Sequence, residues 1–176
     1  MEKLLVLYSS RNGQTQKIID AMQGEFEGYD VEIADLHEPL RKNLSKYDKV
    51  LIGASIRYGK FHPGLYNFIN IHSEQLAAAD ASFFCVCLTA RKPEKAVPEN
   101  NAYIKKFLQK SRWRPRNIAV FAGALKYSEY TWWQARLIQM IMKMTGGSTD
   151  TSQDLEFTDW DKVKEFAKLV ARNKYE

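Results

Sequence analysis

Short apolar segments alternate with amphipathic segments along this chain of 176 residues. We predict strands over Lys3–Ser9, Tyr29–Ala34, Lys49–Ser55, Ser82–Leu88 and Asn117–Leu125. Helical periodicity predicts helices over Thr15–Phe26, Pro63–Leu76, Asn101–Lys110 and Asp159–Lys174. Strands separated by helices form βαβ units, which build a parallel sheet with helices on both faces. The expected fold class is therefore α/β, a doubly wound five-stranded parallel sheet with the strand order 2-1-3-4-5.

The segment between the fifth strand and the last helix is too long for an ordinary connection. Residues 126–156 are rich in aromatic and apolar side chains, namely Tyr127, Tyr130, Trp132, Trp133, Leu137, Ile138, Met140, Ile141, Met142 and Met144. Many of them recur at helical spacing, and Gly146-Gly147 would end such a helix. We predict one domain over residues 1–176 that carries this segment as a helical insertion.

The inserted helix has the composition of a helix that lies on a membrane. Trp132 and Trp133 supply interfacial aromatics, while Arg136 and Lys143 supply positive charge beside apolar bulk. The alternative is that the helix only packs against its own sheet, and both roles are possible on opposite sides of one helix.

Positive charge is concentrated in one part of the chain, whose formal net charge is +5. Residues 91–116 contain nine basic side chains against two acidic ones. This asymmetry favours an anionic partner such as nucleic acid, a membrane surface or a polycarboxylate substrate. A solvated basic helix face is the alternative, and nucleic-acid binding is disfavoured because groove-reading elements are lacking.

Two further expectations concern the cellular compartment. No apolar run reaches the roughly 18 residues that span a bilayer, and the N-terminus lacks the pattern of a secretory signal. Cys85 and Cys87 lie two positions apart on one predicted strand, too close to form a good disulfide. We expect them to be buried thiols in a reducing cytoplasm.

The loop after the first strand, Ser10-Arg11-Asn12-Gly13-Gln14-Thr15, leads directly into a helix. Unpaired N–H groups and the helix dipole favour an anion there, Gly13 permits its close approach, and Ser10 and Thr15 can donate hydroxyl groups. The loop lacks the P-loop and dinucleotide-binding patterns, which disfavours a nucleoside triphosphate or NAD. An ordinary capped turn is the alternative.

This loop resembles the phosphate-binding loop of flavodoxins through Ser10, Gly13 and Thr15, with Arg11 and Asn12 in place of the usual hydroxyl residues. The resemblance implies a flavodoxin-like fold that binds flavin mononucleotide (FMN), with the flavin ring against the loops after strands three and four. The implied cofactor-binding residues are Ser10, Arg11, Asn12, Gly13, Gln14, Thr15, Ser55, Ile56, Arg57, Tyr58, Gly59, Leu88, Thr89, Ala90 and Arg91. Tyr58 offers a stacking face, and Arg57 or Arg91 could stabilise the reduced flavin.

Seven segments, spread in order from Arg11 to Trp160, resemble the flavodoxin-type protoporphyrinogen oxidases, menaquinone-dependent enzymes of bacterial haem synthesis. They are R-N-G-Q-T, I-G-A-S-I-R-Y-G, A-R-K-P-E-K, W-R-P, A-G-A-L-K-Y, I-M-K-M-T-G-G-S-T-D-T and T-D-W. The resemblance implies oxidation of protoporphyrinogen IX to protoporphyrin IX, with six electrons passed in two-electron steps through FMN to menaquinone or ubiquinone. It also implies peripheral attachment to the anionic cytoplasmic face of the bacterial inner membrane.

We predict no metal ligand and no catalytic side chain, since in flavin enzymes the cofactor carries the difficult chemistry. Of the three histidines, only His62 lies near the predicted site. A flavodoxin-type electron carrier and an NAD(P)H-dependent quinone reductase are the alternatives that the same fold leaves open.

Overall fold

The computed structural model describes residues 1–10, 13–39 and 43–172. Five strands form one parallel sheet: β1 (Glu2–Ser9), β2 (Tyr29–Asp35), β3 (Lys49–Ser55), β4 (Asp80–Cys87) and β5 (Ile118–Ala122). Their order is β2-β1-β3-β4-β5, and each neighbouring pair is parallel. The predicted fold class and strand order are therefore confirmed.

Helices cover both faces of the sheet. They are α1 (Gln14–Met22), α2 (Pro63–Ile71), α3 (Ser73–Ala78), α4 (Ala102–Lys110), α5 (Trp132–Met144) and α6 (Trp160–Ala171). Successive side chains of a strand point to opposite faces. Accordingly Phe84 joins the buried cluster that includes α1 and α6, whereas Phe83 stacks on Phe107 of α4 at 4.3 Å between ring centroids.

The structure differs from the predicted elements at several places. The helix predicted over Thr15–Phe26 ends at Met22 and is followed by a 3₁₀ turn over Gln23–Glu25. The helix predicted over Pro63–Leu76 is broken at His72, whose backbone leaves the helical region and whose Nδ1 bonds Gln75 Oε1 at 2.8 Å. The fourth strand ends at Cys87, so Leu88 begins a short 3₁₀ turn instead of closing the strand. The fifth strand, predicted to run to Leu125, leaves the parallel sheet after Ala122.

Two compact units make up the chain. The sheet unit comprises Met1–Gly123 and Thr158–Glu176, and the inserted unit comprises Ala124–Phe157. The inserted unit holds α5 and a two-residue antiparallel ladder between β6 (Ala124–Leu125) and β7 (Leu155–Glu156). The helical insertion after the fifth strand is thus confirmed, and β6 and β7 were not predicted.

Gly146 and Gly147 end α5 as the sequence predicted. The N–H of Gly147 donates to the carbonyl of Met142 at 2.7 Å, and the N–H of Gly146 donates to that of Lys143 at 3.5 Å. Gly146 has φ of +74°, which completes a Schellman motif that needs a residue in the left-handed region.

Candidate functional site

The loops that follow β1, β3 and β4 leave the same edge of the sheet unit. Parallel pairing sets Ser9 beside Ala54 and Ser55 beside Val86, so these strands end in register. The Ser55 hydroxyl donates to the Ser9 carbonyl at 3.4 Å, and the Ile56 N–H donates to the Val86 carbonyl at 2.9 Å. The structure therefore brings together the three loops that the sequence singled out, at the edge where ligands bind in doubly wound folds.

The residue directly before α1 has a backbone conformation that favours glycine. Gly13 precedes α1 with φ of +74°, a conformation that residues with a Cβ rarely adopt. Ser10 is half-buried, and Arg11 and Asn12 lie outside the described residues.

Thr15, in the first turn of α1, is fully buried, and its hydroxyl has no hydrogen-bond partner among the described residues. Buried hydroxyl groups are nearly always paired in folded proteins, because leaving one unpaired costs free energy. A hydroxyl buried beside the unpaired N–H groups of a helix start indicates a bound anion as its partner. A phosphate fits this loop, since amides, hydroxyls and the helix dipole all favour it.

A polar chain connects the start of α1 to the end of β5. The Gln14 amide donates to the Thr158 hydroxyl at 2.9 Å, and that hydroxyl donates to the Ala122 carbonyl at 2.7 Å. Thr158 belongs to T-D-W, one of the seven segments that resemble a known family. Its two hydrogen bonds fix the first turn of α1 relative to β5.

The second loop makes a tight reversal that presents an aromatic ring. Arg57 and Lys60 exchange both backbone hydrogen bonds, at 3.0 and 3.3 Å. The two residues between them, Tyr58 and Gly59, have φ of +52° and +74°. Tyr58 is the only non-glycine residue of the described chain with positive φ, and such strain concentrates at functional sites.

Tyr58 is 55% exposed, and the Arg57 guanidinium lies 5.2 Å from the centroid of its ring. This arrangement leaves a ring face able to stack on a planar ligand.

The third loop is a single 3₁₀ turn over Leu88–Arg91. The Arg91 guanidinium donates to the Leu88 carbonyl at 3.2 Å, which folds this side chain back on its own turn. Ala90 is buried, and Thr89 is half-buried with its hydroxyl 3.4 Å from the Cys87 sulfur. The turn thus offers small side chains and backbone groups at the sheet edge, as the sequence predicted.

The buried thiols at the end of β4 differ in acidity. Both are free and buried. The pKa of Cys87 is lowered, foremost by a hydrogen bond from Cys85, while burial raises the pKa of Cys85. The Asn101 amide also donates to the Cys87 sulfur, at 3.5 Å. Cys87, the thiol with the lowered pKa, lies directly before the third loop.

A histidine pair lies at the same edge, and the sequence assigned only one of its members there. His37 Nε2 lies 2.7 Å from the Ser9 hydroxyl, and the His37 and His62 rings lie 4.1 Å apart. His62 Nδ1 accepts the Gly64 N–H and so caps α2. The signal for His37 was its place just after the second strand, since β2 neighbours β1 and ends beside it.

Within residues 1–10, 13–39 and 43–172, no three His, Cys, Asp or Glu side chains cluster so as to hold a metal ion. The same residues include no helix that is long and apolar enough to span a bilayer.

Comparison with known protein families assigns the class. Residues 5–152 match the flavodoxin domain family, and the chain belongs to that family. The fold agrees with solved flavodoxin structures. The oxidised Flavodoxin 2 of Bacillus cereus superposes with a TM-score of 0.56 at 14% identity, covering 94% of each chain. A flavoprotein in complex with FMN from Lactobacillus acidophilus NCFM superposes with a TM-score of 0.51 at 15% identity, covering 68% of this chain and 93% of that one.

Sequence relatives are more specific. A protein of Escherichia coli strain K12 named protoporphyrinogen IX dehydrogenase [quinone] is 43% identical over 171 residues, which are 96% of this chain and 94% of that protein. A Leishmania major protein of the same name is 41% identical over 168 residues, which are 94% of this chain and 73% of that protein. These matches confirm the resemblance to the flavodoxin-type protoporphyrinogen oxidases.

Proposed function

We propose that this protein is an FMN-dependent protoporphyrinogen IX dehydrogenase that delivers electrons to a quinone. The observation that carries the proposal is the match, over 96% of the chain, to a relative named for this activity. The structure supports it independently, because the edge of the sheet unit combines an anion-binding turn with an exposed aromatic ring.

The proposed FMN site uses the three loops at this edge. Ser10, Gly13 and the first turn of α1 would hold the phosphate, and the unpartnered hydroxyl of Thr15 would donate to it. Arg11 and Asn12 complete the proposed loop but lie outside the described residues. The remaining proposed contacts, around the flavin ring, are Ser55, Ile56, Arg57, Tyr58, Gly59, Leu88, Thr89, Ala90 and Arg91.

When bound, FMN would accept two electrons at a time from the porphyrinogen and pass them to a quinone. A six-electron oxidation would therefore need three turnovers. The protein's own residues bind and orient the reactants. The strained turn at Tyr58 would position its ring to stack on the flavin, and Arg91, folded back on its own turn, keeps the third loop compact. We assign no side chain as catalytic acid or base.

The proposal extends to a membrane surface, where a lipid-soluble quinone resides. α5 of the inserted unit presents Trp132 and Met144, both 79% exposed, on one side together with Trp133 and Met140. Arg136 and Lys143 are exposed among these apolar side chains. Apolar and aromatic bulk with cations is the composition that binds an anionic bilayer interface. We therefore propose peripheral binding to the cytoplasmic face of the bacterial inner membrane.

The opposite side of α5 serves a different purpose. Met142 is buried on that side, and its neighbours Gln134, Ala135 and Ile138 are half-buried. The two sides thus support the reading in which one helix both packs and presents a membrane-binding surface.

The activity is tested with the purified, FMN-loaded protein. We expect protoporphyrin fluorescence to appear only when both protoporphyrinogen IX and a quinone are supplied under anaerobic conditions. Absence of quinone-dependent product would contradict the proposal. Reduction of the flavin by NAD(P)H would favour a quinone reductase, and stable one-electron reduction without substrate turnover would favour an electron carrier.

Membrane binding is tested by sedimentation with vesicles that contain anionic phospholipid. The double variant Trp132→Ser/Met144→Ser should sediment several-fold less than the wild type. Leu169→Ser removes an apolar side chain from the exposed side of α6, 42% exposed, and serves as the matched control. Equal loss in the control would mean that exposed apolar area alone, and not α5, determines binding.

A further inference from the structure

We propose that a groove beside the second flavin loop binds the propionate carboxylates of the porphyrinogen, which rests on the function proposed above. The groove belongs wholly to the sheet unit, and its volume is about 220 Å³. It is lined by Ile56, Gly59, Lys60, Phe61, Pro63, Tyr66, Tyr103, Lys106 and Lys110. Three of these residues are lysines and none is acidic, so the groove attracts anions.

The lysines come from two elements and converge on one opening. Lys106 and Lys110 are one turn apart on α4 and so share a face of that helix. Lys60 reaches the groove from the tight turn of the second loop. None of these three lysines forms an ion pair with another described residue, whereas Lys49 at the other end of β3 is paired with Asp80 at 2.7 Å.

Aromatic rings form the floor and wall of the groove. Phe61 packs edge-on against Tyr66 and Phe107, with ring centroids 6.3 and 5.9 Å apart. The Lys110 ammonium lies 5.5 Å above the Tyr66 ring, which holds the lysine stem along an apolar surface. A ligand that fits this surface has an apolar body and a negatively charged edge.

Protoporphyrinogen has these features, since it carries two carboxylates on an otherwise apolar macrocycle. The groove is smaller than the 300–1,000 Å³ typical of sites that enclose a whole drug-sized ligand, so it suits one edge of the macrocycle. Two propionates on one edge match two lysines one helical turn apart.

The position of the groove explains why it would help the reaction. Ile56 and Gly59 line the groove and also belong to the proposed flavin-binding loop. Carboxylates held by α4 would fix the orientation of the macrocycle relative to that loop, which is the effect of a positioning site on a bound reactant. A second cavity, of about 120 Å³, lies beside Asp80 and Arg116 at the opposite edge of the sheet and has no flavin loop next to it.

The lysines of the groove should distinguish the porphyrinogen from the quinone. A quinone has no carboxylate, so the lysines of the groove give it no charge-assisted contact. We therefore expect loss of these lysines to raise the KM for protoporphyrinogen and to leave the KM for the quinone unchanged.

The test compares Lys106→Gln/Lys110→Gln with the control Lys105→Gln in the FMN-loaded protein. Lys105 is exposed on the same helix and is not among the residues that line the groove. Binding of the stable product protoporphyrin IX and of its dimethyl ester is measured by quenching of flavin or porphyrin fluorescence. We expect the double variant to bind the diacid roughly tenfold more weakly, the size of two exposed ion pairs. It should bind the ester as the wild type does, and the control should match the wild type for both ligands.

Steady-state kinetics supply the second readout. The double variant should show a KM for protoporphyrinogen raised by about tenfold with kcat nearly unchanged, the pattern of lost uniform binding. Wild-type affinity for the diacid in the double variant, or equal weakening for the ester, would overturn the assignment of the groove. If the wild type oxidises no protoporphyrinogen with any quinone, the proposed function fails instead, and the binding comparison still reports whether the groove recognises carboxylates.

Discussion

The largest side chains of the sheet unit are buried, whereas several of the largest side chains of the inserted unit are exposed. Phe83, Phe84 and Trp113 are each at most 2% exposed, while Trp132 and Met144 are each 79% exposed. The sheet unit is held by a five-stranded ladder over a shared apolar cluster. The inserted unit has an antiparallel ladder of only two residue pairs. It also has polar side-chain hydrogen bonds, such as those that Ser128 donates to Asp154.

This difference in side-chain exposure indicates a different role for each unit. Apolar side chains that are already buried stabilise the fold and are not available to a partner. Exposed apolar side chains contribute little to folding, and a contiguous exposed stripe indicates a surface that binds something. This contrast supports the proposals that the sheet unit holds a site at its edge and that the inserted unit binds a membrane surface.

The largest expected effect is on stability, and it separates the two units directly. Phe84→Ala should lower the free energy of unfolding by about 3–5 kcal/mol, because it opens a cavity in the cluster between the sheet, α1 and α6. Met144→Ala should change it by less than about 0.5 kcal/mol. Denaturant unfolding of both variants measures the contrast, and losses of similar size would show that the exposed stripe of α5 is a part of the folded core.

The next effect is on ligand affinity and tests whether the edge of the sheet unit binds FMN. Thr15→Val should weaken FMN binding by about tenfold, since it removes a buried donor that has no other described partner. The stability of the FMN-free protein should stay equal or rise, because the unpaired hydroxyl is gone.

Fluorescence titration of FMN and thermal unfolding of the FMN-free protein check this prediction. Thr151→Val, at an exposed position of the inserted unit, is the control and should change neither quantity. Unchanged FMN affinity in Thr15→Val would remove this hydroxyl from the proposed phosphate site.

The smallest effect concerns pH and the polar tie of the inserted unit. The Ser128 N–H and hydroxyl donate to Asp154 at 3.0 and 2.7 Å, and these bonds lower the pKa of that carboxyl, the backbone bond foremost. A lowered pKa means that the tie is fully formed above the ordinary value of about 3.9 and is lost as pH falls through the lowered value.

Hydrogen exchange at the Ser128 amide should therefore lose protection on acidification, while amides of β3 keep theirs. Asp154→Asn, which cannot titrate, should show no such pH dependence. A Ser128 protection factor that stays constant in acid would mean that the tie does not depend on the carboxylate.

Much of the sheet unit was predictable because its signals are local. The apolar run at Lys49–Ser55 forms β3 with the predicted bounds, and Asn101 and Asp159 cap α4 and α6 at the predicted starts. The break at His72 was not predictable from periodicity, since Phe68 and Leu76 sit on either side of it with helical spacing. The departure after Ala122 was missed for a similar reason, because residues 124 and 125 are as apolar as the strand they follow.

The candidate site, too, was predictable only where its signals are local. The sequence predicted the loops at Ser10–Thr15, Ser55–Gly59 and Leu88–Arg91 from their places after strands, and their side-chain contacts to a cofactor stay a prediction. It missed His37, whose neighbour Ser9 is 28 positions away in the chain, and it could not connect Gln14 with Thr158, 144 positions away. Contacts of this kind depend on strand order, which local patterns imply only indirectly.

The sequence by itself determined the α/β class and the family, because both rest on patterns that adjacent residues carry. Only the tertiary structure decided that the Thr15 hydroxyl is buried without a described partner, that Tyr58 is held at positive φ, and that lysines of α4 face the second loop. The physical reason is that burial, backbone strain and charge convergence are properties of side chains from distant elements packed together. They exist only once the chain has folded.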